Sequence, residues 1–359
     1  GGSMAGVDPY DSSACGKCHT GTYGEWVKTG HSKAIERFVT TTSTSYASSC
    51  FRCHIGQEFV EMQVAGDDPY DGNLPYSHAA GQECVVCHYP HFGNGIAEPR
   101  LRMEGKGLLP AGDTYFEAGK ARLCVNCHNS RRSNPDGDVV PRWVSSSGEW
   151  QLSGLPHHSN QSEAYWGHGF VTSYTTGGLK REDISDTVHA KQSFILPGHS
   201  SYQACITCHM FGGEHSFEPS IAACAACHKT NLDWPQWGGA SPPTFNKPAR
   251  GDYDGNGKVE GVVDEYEGLL HRLEAALTDG VGSGIGSAPE LGFGYTWYGG
   301  RPYWGLGDVQ STAPDPDAAK VAYNFILFEH DIHGAPLHNT AFAFQVLRAS
   351  WTNLGRTLL

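Results

Sequence analysis

Helical periodicity is clear in three stretches, all in the last third of the chain. Residues 263–277 place an apolar row on one helical face, at Val263, Tyr266, Leu269, Leu270, Leu273, Ala276 and Leu277. Asp315-Pro316 supplies an N-cap and a first-turn proline before a second helix over 318–329, and residues 340–354 form a third amphipathic stretch. Elsewhere strand signals are weak, and the serine- and glycine-rich segment 129–204 predicts irregular loops. The pattern therefore predicts mainly loop with short α-helices and little β-structure.

The composition changes the picture of the core. The 359 residues include 46 glycines and 20 prolines, 39% of the residues are apolar, and the mean hydropathy is −0.41. Such a chain is loop-rich, but it is not charged enough for disorder. We therefore expect an apolar group other than side chains to supply most of the core of a single domain over residues 1–359.

The cysteines indicate what that group is. All 12 cysteines form C-x-x-C pairs, and a histidine follows each pair directly, in motifs at 15–19, 50–54, 84–88, 124–128, 205–209 and 224–228. Zinc sites and redox-active cysteine pairs do not require this histidine, and histidine is only 19 of the 359 residues, which excludes six coincidences. C-x-x-C-H is the attachment signature of haem c. The sequence therefore predicts six haem c groups.

Each motif assigns three residues to its haem. The predicted covalent attachment residues are Cys15, Cys18, Cys50, Cys53, Cys84, Cys87, Cys124, Cys127, Cys205, Cys208, Cys224 and Cys227. The predicted proximal iron ligands are His19, His54, His88, His128, His209 and His228. Twelve thioethers leave no thiol for a disulfide or for nucleophilic catalysis.

The opposite axial positions need further ligands. Six of the 19 histidines lie in the motifs, which leaves thirteen, against 4 methionines. The predicted distal ligands are His31, His78, His158, His199, His215 and His338, with His157 an alternative to His158 and His91 in reserve. The short tethers of His78, His199 and His215 to their nearest motifs predict that each binds a neighbouring haem. The remaining histidines are expected at the surface or beside haem propionates, at His168, His189, His271, His330 and His333.

Three segments carry a resemblance to a known family. Trp26 to Ala34, with His31, resembles the W-x-x-S/T-x-H segment after the first haem of the multihaem family that includes cytochrome c554, hydroxylamine oxidoreductase and pentahaem nitrite reductase. Residues 157–163 resemble its H-x-x-Q-x-E segment, and Asp331 to Leu347, with His338, resembles its D-x-x-x-G-x-H-N-x-x-Y segment. The resemblance implies a multihaem cytochrome c fold wrapped around a chain of closely packed haems.

The chain departs from the enzymes of that family. It has no C-x-x-C-K motif of the nitrite reductase type, and its six motifs are fewer than the eight of hydroxylamine oxidoreductases. An iron with two imidazoles has no open site for substrate and carries one electron. We therefore expect an electron-transfer protein rather than an enzyme, with a redox enzyme that has one open haem as the alternative.

Charge and attachment chemistry indicate the compartment and the partners. Haem c is normally attached outside the cytoplasm, so we expect an export peptide before Gly1 and an extracellular or cell-surface protein, with the periplasm as alternative. The formal net charge of −13 argues against nucleic acid, and no apolar run is long enough to span a membrane. Other redox proteins or extracellular acceptors are the expected partners.

The chain also resembles the hexahaem outer-surface cytochromes of metal-reducing bacteria, which polymerise into filaments. The resemblance implies a homo-polymer in which one subunit donates a histidine ligand to the next. His31 is the first choice for this donor. A discrete electron carrier is the alternative to the polymer.

Residues 252–265 predict a calcium loop. Asp252, Asp254 and Asn256 occupy the first three oxygen-ligand positions of an EF-hand loop, and Lys258 provides the carbonyl position. The twelfth position is Val263 instead of glutamate, with Asp264 and Glu265 just beyond it. The loop is therefore either one residue longer, with Asp264 as the predicted ligand, or coordinates differently. An Asp/Asn/Gly turn without metal is the alternative.

Overall fold

The computed structural model describes residues 8–36, 50–65, 79–90, 101–110, 114–132, 134–144, 149–157, 159–175, 177–191, 195, 202–225, 228, 248–278, 293–298, 301–306, 316–329, 331 and 334–354. The chain folds as two compact units. The first unit contains residues 1–107, 117–127 and 195–228, and the second contains residues 108–116, 128–194 and 229–359. The single hexahaem domain over 1–359 stays a prediction.

Helices within the described ranges are short up to residue 225 and longer beyond it. They are α1 (Ser12–Gly16), α2 (Thr20–Trp26), α3 (Phe51–His54), α4 (Gly56–Ala65), α5 (Cys84–Cys87), α6 (Arg122–Cys127), α7 (Pro135–Asp138), α8 (Gln161–Trp166), α9 (Ile206–His209), α10 (Ile221–Ala225), α11 (Val262–Thr278), α12 (Pro316–Glu329), α13 (Ala335–His338) and α14 (Thr340–Asn353). The predicted helices over 263–277, 318–329 and 340–354 are thus α11, α12 and α14. Single 3-10 turns cover Gly119–Ala121, Arg181–Asp183, Val188–Ala190 and Phe211–Gly213.

The strands are few. They are β1 (Lys106–Leu109), β2 (Thr114–Glu117), β3 (Val140–Val144), β4 (Glu149–Ser153), β5 (Ser173–Tyr174), β6 (Gly177–Gly178), β7 (Phe293–Tyr298) and β8 (Arg301–Leu306). β1 and β2 form one two-stranded sheet, β5 and β6 another, and a four-stranded sheet has the order β3-β4-β8-β7. The prediction of little β-structure is confirmed. The loop interpretation of 129–204 is corrected by β3, β4 and α8.

The second unit has a core of packed side chains. Helices α11, α12 and α14 contact one another, and the predicted apolar face of α11 is buried, with Leu269 and Leu273 fully enclosed. Tyr323 of α12 and Phe342 of α14 are enclosed in the same cluster. The expectation that side chains would supply little of the core is therefore wrong for this unit, because three amphipathic helices bury their faces on each other.

The first unit packs fewer apolar side chains together. One of its clusters of buried residues consists of Phe59, Val60, Val86 and Leu123. Close backbone approach joins α4 to the segment before α5: Gly56 N donates to Ala80 O over 2.9 Å, and a Cβ on Gly56 would lie 2.4 Å from Gly81 O. Glycine at residue 56 therefore brings the second and third motifs together. Among the helices of the described residues, none has the length and apolar character needed to cross a membrane.

Candidate haem-binding site

Each C-x-x-C-H motif is built on a turn of helix. In four motifs the histidine N–H donates to the carbonyl of the first cysteine, over 2.9 Å at His19, 2.9 Å at His88, 3.0 Å at His209 and 2.8 Å at His228. In the other two motifs α3 and α6 cover most of the segment. Residues at i, i+3 and i+4 of a helical turn share one face. Both thiols and the imidazole of a motif can therefore reach one planar group.

Tertiary folding brings the motifs of the first unit together in an order that differs from chain order. The cysteine side chains of motifs one and three are neighbours at Cys15 and Cys84, and those of motifs four and five are neighbours at Cys124 and Cys205. Motifs two and four are joined in the same way.

The remaining contacts extend this arrangement. Cys53 of motif two and Cys127 of motif four are also neighbours. Burial, then the neighbouring Cys224 thiol of motif six, raise the pKa of Cys208 in motif five to about 11. Burial, then the neighbouring Cys124 of motif four, raise the pKa of Cys87 in motif three. The described attachment points thus form one connected cluster of neighbours. Cys227 lies outside the described residues.

Several motif and distal histidines of the first unit have Nδ1 directed at a backbone carbonyl. His209 Nδ1 lies 2.9 Å from Phe217 O, His215 Nδ1 lies 2.9 Å from Gly213 O, and His54 Nδ1 lies 3.4 Å from Ala34 O. A carbonyl accepts only from a protonated Nδ1, so the lone pair of each ring is on Nε2. Metal-binding histidines usually donate their other ring N–H to a carbonyl or carboxylate oxygen in this way.

His88 and His215 face each other in the first unit. Their ring centroids are 6.1 Å apart with an interplanar angle of 33°. Two imidazole nitrogens, each about 2 Å from one metal ion, place ring centres roughly 6 Å apart. Burial, then the neighbouring His215 and His19, lower the pKa of His88, which favours the neutral ring that iron requires. The ring separation of His88 and His215 is therefore that of two imidazoles on one metal ion.

The segment around His31 is folded onto the third motif. Trp26 Nε1 donates to Gln82 O over 3.0 Å, and Gln82 N donates to His31 O over 3.1 Å. The His31 ring contacts Phe217 edge-on, with centroids 4.5 Å apart. Trp26 thus anchors the loop that carries His31.

In the second unit, side chains orient His128 and His338. His128 Nδ1 lies 3.1 Å from Gln161 Oε1, and His338 Nδ1 lies 2.8 Å from Asp331 Oδ2. Burial lowers the pKa of His128, and nearby His338 lowers it further. Burial would also lower the pKa of His338, but the charge and hydrogen bond of Asp331 raise it overall. The two rings are close enough to influence each other.

Sequence reasoning missed part of this neighbourhood. Glu163, in the segment of the family resemblance, is fully buried and accepts from Ser130 N and Ser130 Oγ over 2.9 and 2.8 Å. Burial raises its pKa to about 7. The contacts of Gln161 and Asp331 with the predicted iron ligands His128 and His338 were also not predicted, because Gln161 is distant from His128 in sequence and the contact of Asp331 with His338 depends on the turn between them.

The remaining histidine predictions divide by location. His78, His158 and His199 lie outside the described residues, as do His91, His330 and His333. His157 N donates to Ser130 O over 3.0 Å. His189 Nδ1 lies 3.4 Å from Leu337 O, and His271 is exposed on α11. Burial, then Arg181, lower the pKa of His168 to about 4.

The acidic loop at 252–265 folds around Glu265, whereas the sequence had predicted Asp264 as the ligand. Oxygen atoms of Asp252, Asp254 and Glu265 lie within 4.8 Å of one another. Glu265 Oε2 accepts from the N–H groups of Tyr253 and Asp254 over 2.6 and 3.2 Å. Glu265, rather than Asp264, therefore closes the loop, because the first turn of α11 directs residue 265 inward.

The loop backbone uses the other predicted residues. Asp252 Oδ2 accepts from Gly257 N over 2.7 Å, Asp254 Oδ1 accepts from Asn256 N over 2.9 Å, and Lys258 N donates to Asn256 Oδ1 over 2.8 Å. These hydrogen bonds alone account for a tight turn.

Known proteins are similar to part of this sequence and to its fold. Residues 14–89, which contain the first three motifs, match the family model for cytochrome c554 and c-prime. The fold is similar to that of an undecahaem cytochrome from the S-layer of Carboxydothermus ferrireducens, with a TM-score of 0.52 and 17% sequence identity over 96% of this chain. The chain is a multihaem c-type cytochrome. It spans 45% of the length of the S-layer protein, and no curated protein sequence matches it.

The residues of this cytochrome fit haem c. Each described motif presents its cysteines and histidine on one helical turn, and His54, His128, His209, His215 and His338 have Nδ1 directed at an oxygen atom, which places the lone pair of each ring on Nε2. Bound haem c supplies an iron that takes up and releases one electron. What the chain would contribute is attachment through the cysteines and the orientation of the imidazole rings.

Proposed function

We propose that this cytochrome transfers electrons through six haem c groups, each with two histidine ligands. The observation that carries the proposal is the clustering of the attachment cysteines, with Cys15 beside Cys84, Cys53 beside Cys127, and Cys124 beside Cys205. Because thioethers fix each haem next to its cysteines, neighbouring motifs hold neighbouring haems. Electrons can then pass from haem to haem across the molecule.

Two-histidine ligation favours transport over catalysis. His88 and His215 have the ring separation expected of two ligands on one iron, and His128 and His338 are close neighbours with oriented rings. An iron with both axial positions filled has no site for substrate. The remaining distal assignments, to His31, His78, His158 and His199, are part of this proposal.

The test combines intact mass and spectroscopy on the native protein. Six covalent haems should add six haem equivalents to the 38.8 kDa polypeptide, and all six ferric irons should be low-spin. A smaller mass would contradict the six-haem proposal. Six haems with a high-spin ferric component would instead favour the enzyme alternative, in which one iron is open.

We further propose that the protein is exported and acts at the cell surface, with other redox proteins or extracellular acceptors as partners. The S-layer origin of the similar structure supports this location, and the net charge of −13 suits an exposed, soluble surface. Fractionation of cells into periplasm, surface layer and medium, followed by haem staining, tests the proposal. Recovery only in the periplasm would contradict it.

Assembly into a filament, with a histidine donated between subunits, remains a proposal for which His31 is the first candidate. The contact of His31 with Phe217 of its own chain also allows a ligand role within one subunit. Electron microscopy of native material and of His31→Ala separates these roles. Filaments that persist in the variant with six low-spin irons would reject His31 as the donor.

We also propose calcium at residues 252–265, with Asp252, Asp254 and Glu265 as carboxylate ligands and oxygen atoms of Asn256 and Lys258 as neighbours. The convergence of the three carboxylates supports the proposal, since clustered carboxylates repel one another without a cation. Elemental analysis of the purified protein tests it, and an absence of calcium would leave a hydrogen-bonded turn.

A further inference from the structure

The carboxylate of Asp331 is buried against His338. Asp331 Oδ2 lies 2.8 Å from His338 Nδ1, and the Asp331 side chain is only 5% exposed. A buried carboxylate is unfavourable unless it accepts hydrogen bonds from its surroundings. The imidazole N–H supplies such a bond and thereby fixes which ring nitrogen is protonated.

The backbone around this pair holds both side chains in place. Gly334 N and Ala335 N donate to Asp331 O over 2.9 and 2.7 Å, and His338 N donates to Gly334 O over 2.6 Å. A Cβ on Gly334 would lie 2.3 Å from Asp331 Oδ1 and 2.6 Å from His338 Cε1. Only glycine leaves room at residue 334 for the contact between the aspartate and the histidine.

The residue after His338 is anchored independently. Asn339 Nδ2 donates to Asp186 Oδ1 over 2.8 Å and to Tyr165 O over 3.2 Å, and Asn339 Oδ1 accepts from Thr187 N over 2.9 Å. The Tyr165 ring lies edge-on to the His338 ring, with centroids 6.1 Å apart. The imidazole is therefore held by its backbone, by its neighbour and by the carboxylate.

We propose that Asp331 is a positioning residue: its carboxylate keeps the proton of His338 on Nδ1, so that Nε2 carries the lone pair that would bind haem iron, and lowers the midpoint potential of that iron. The inference rests on the proposed two-histidine haems. Ferric haem carries one more positive charge than ferrous haem, so a buried negative charge beside the ligand stabilises the ferric form. His209 and His215, in contrast, have neutral carbonyls at Nδ1.

The test is a potentiometric titration of Asp331→Asn, in which the amide oxygen still accepts from Nδ1–H but the charge is gone. One midpoint potential should become more positive by at least about 59 mV, which is a tenfold change in the equilibrium constant of a one-electron reduction. The other five midpoint potentials should not change. Six potentials equal to those of the wild type would overturn the inference.

Asp317→Asn is the matched control. Asp317 is also a buried aspartate of the second unit, but its carboxylate accepts from Thr175 N over 3.0 and 2.8 Å. This variant removes a buried charge without touching a histidine of the site, so its potentials should equal those of the wild type. An equal shift in both variants would show a general loss of packing and overturn the inference.

Two further readouts separate this inference from the proposed function and from misfolding. Fewer than six low-spin irons in the wild type would defeat the proposed function before any variant is made. If Asp331→Asn alone becomes high-spin at one iron, positioning is supported directly, and Asp331→Glu, which keeps the charge, should retain the wild-type potentials. If Asp331→Asn and Asp317→Asn lose the ligand equally, the inference is wrong.

Discussion

Removal of the His215 ring should open one iron of this cytochrome and leave the fold intact. The backbone N–H of His215 donates to Glu25 Oε2 over 2.7 Å, and this bond survives in His215→Ala. The substitution removes the Nδ1 bond to Gly213 O, 2.9 Å long, and the ring that faces His88. The loop between motifs five and six therefore keeps its main anchor.

The size of the effect follows from the loss of one axial ligand at one of the six predicted irons. The iron attached through His88 loses the imidazole on its opposite side, so about one sixth of the ferric haem should become high-spin, and the reduced protein should bind about one CO per chain. The lost hydrogen bond should lower the free energy of unfolding by only about 1 kcal/mol. A large stability loss is not expected.

Ferric absorption and electron paramagnetic resonance spectra, together with a CO titration of the reduced protein, measure these changes. His271→Ala is the matched control, because His271 is exposed on α11 and should leave six low-spin irons. If His215→Ala binds no CO and stays fully low-spin, another residue is the ligand opposite His88. The geometric reading of the ring pair at 6.1 Å would then be refuted.

Three other predictions concern stability and the acidic loop. Leu273→Ala, at a fully buried site, should lower the free energy of unfolding by about 2–5 kcal/mol. Leu108→Ala, at a site 41% exposed, should change it by less than about 0.5 kcal/mol. Equal effects of the two variants in denaturant titrations would contradict a side-chain core. Burial raises the pKa of Glu163 to about 7 from its ordinary value of 4.5, so native Glu163 keeps its proton where the unfolded chain has lost it. The free energy of unfolding should therefore fall by roughly 3 kcal/mol as pH rises through this window. Glu163→Gln should flatten that decline, and an unchanged pH profile would exclude Glu163 as its source. Glu265→Gln should weaken calcium binding measured by calorimetry, whereas the same affinity in variant and wild type would remove Glu265 from the ligand set.

Local spacing predicted the attachment chemistry and the long helices. Cysteine and histidine at i, i+3 and i+4 meet on one helical turn in any surroundings, so the motif alone indicates haem c and its proximal ligand. The apolar period of α11 predicted both the helix and the face that is buried, since Leu269 and Leu273 recur at helical spacing. Glu265 shows the limit of this reasoning: the loop pattern selected Asp264, but the inward direction of residue 265 depends on how α11 packs.

Contacts between distant segments were decided by the tertiary structure alone. Motif spacing along the chain does not reveal that Cys15 lies beside Cys84, because loops of this length close at similar entropic cost onto many partners. The four-stranded sheet depends on a pairing of Trp150 with Leu306, which no local pattern encodes. The side-chain partner of His338 is local in sequence, but its contact required Gly334 in a particular turn. The sequence by itself determined that this chain has the attachment signature of haem c and predicts where each haem is attached, since covalent attachment uses residues that are close in the chain. Which haems become neighbours, and which carboxylate or carbonyl orients each ligand, arises only when the folded chain brings remote residues together.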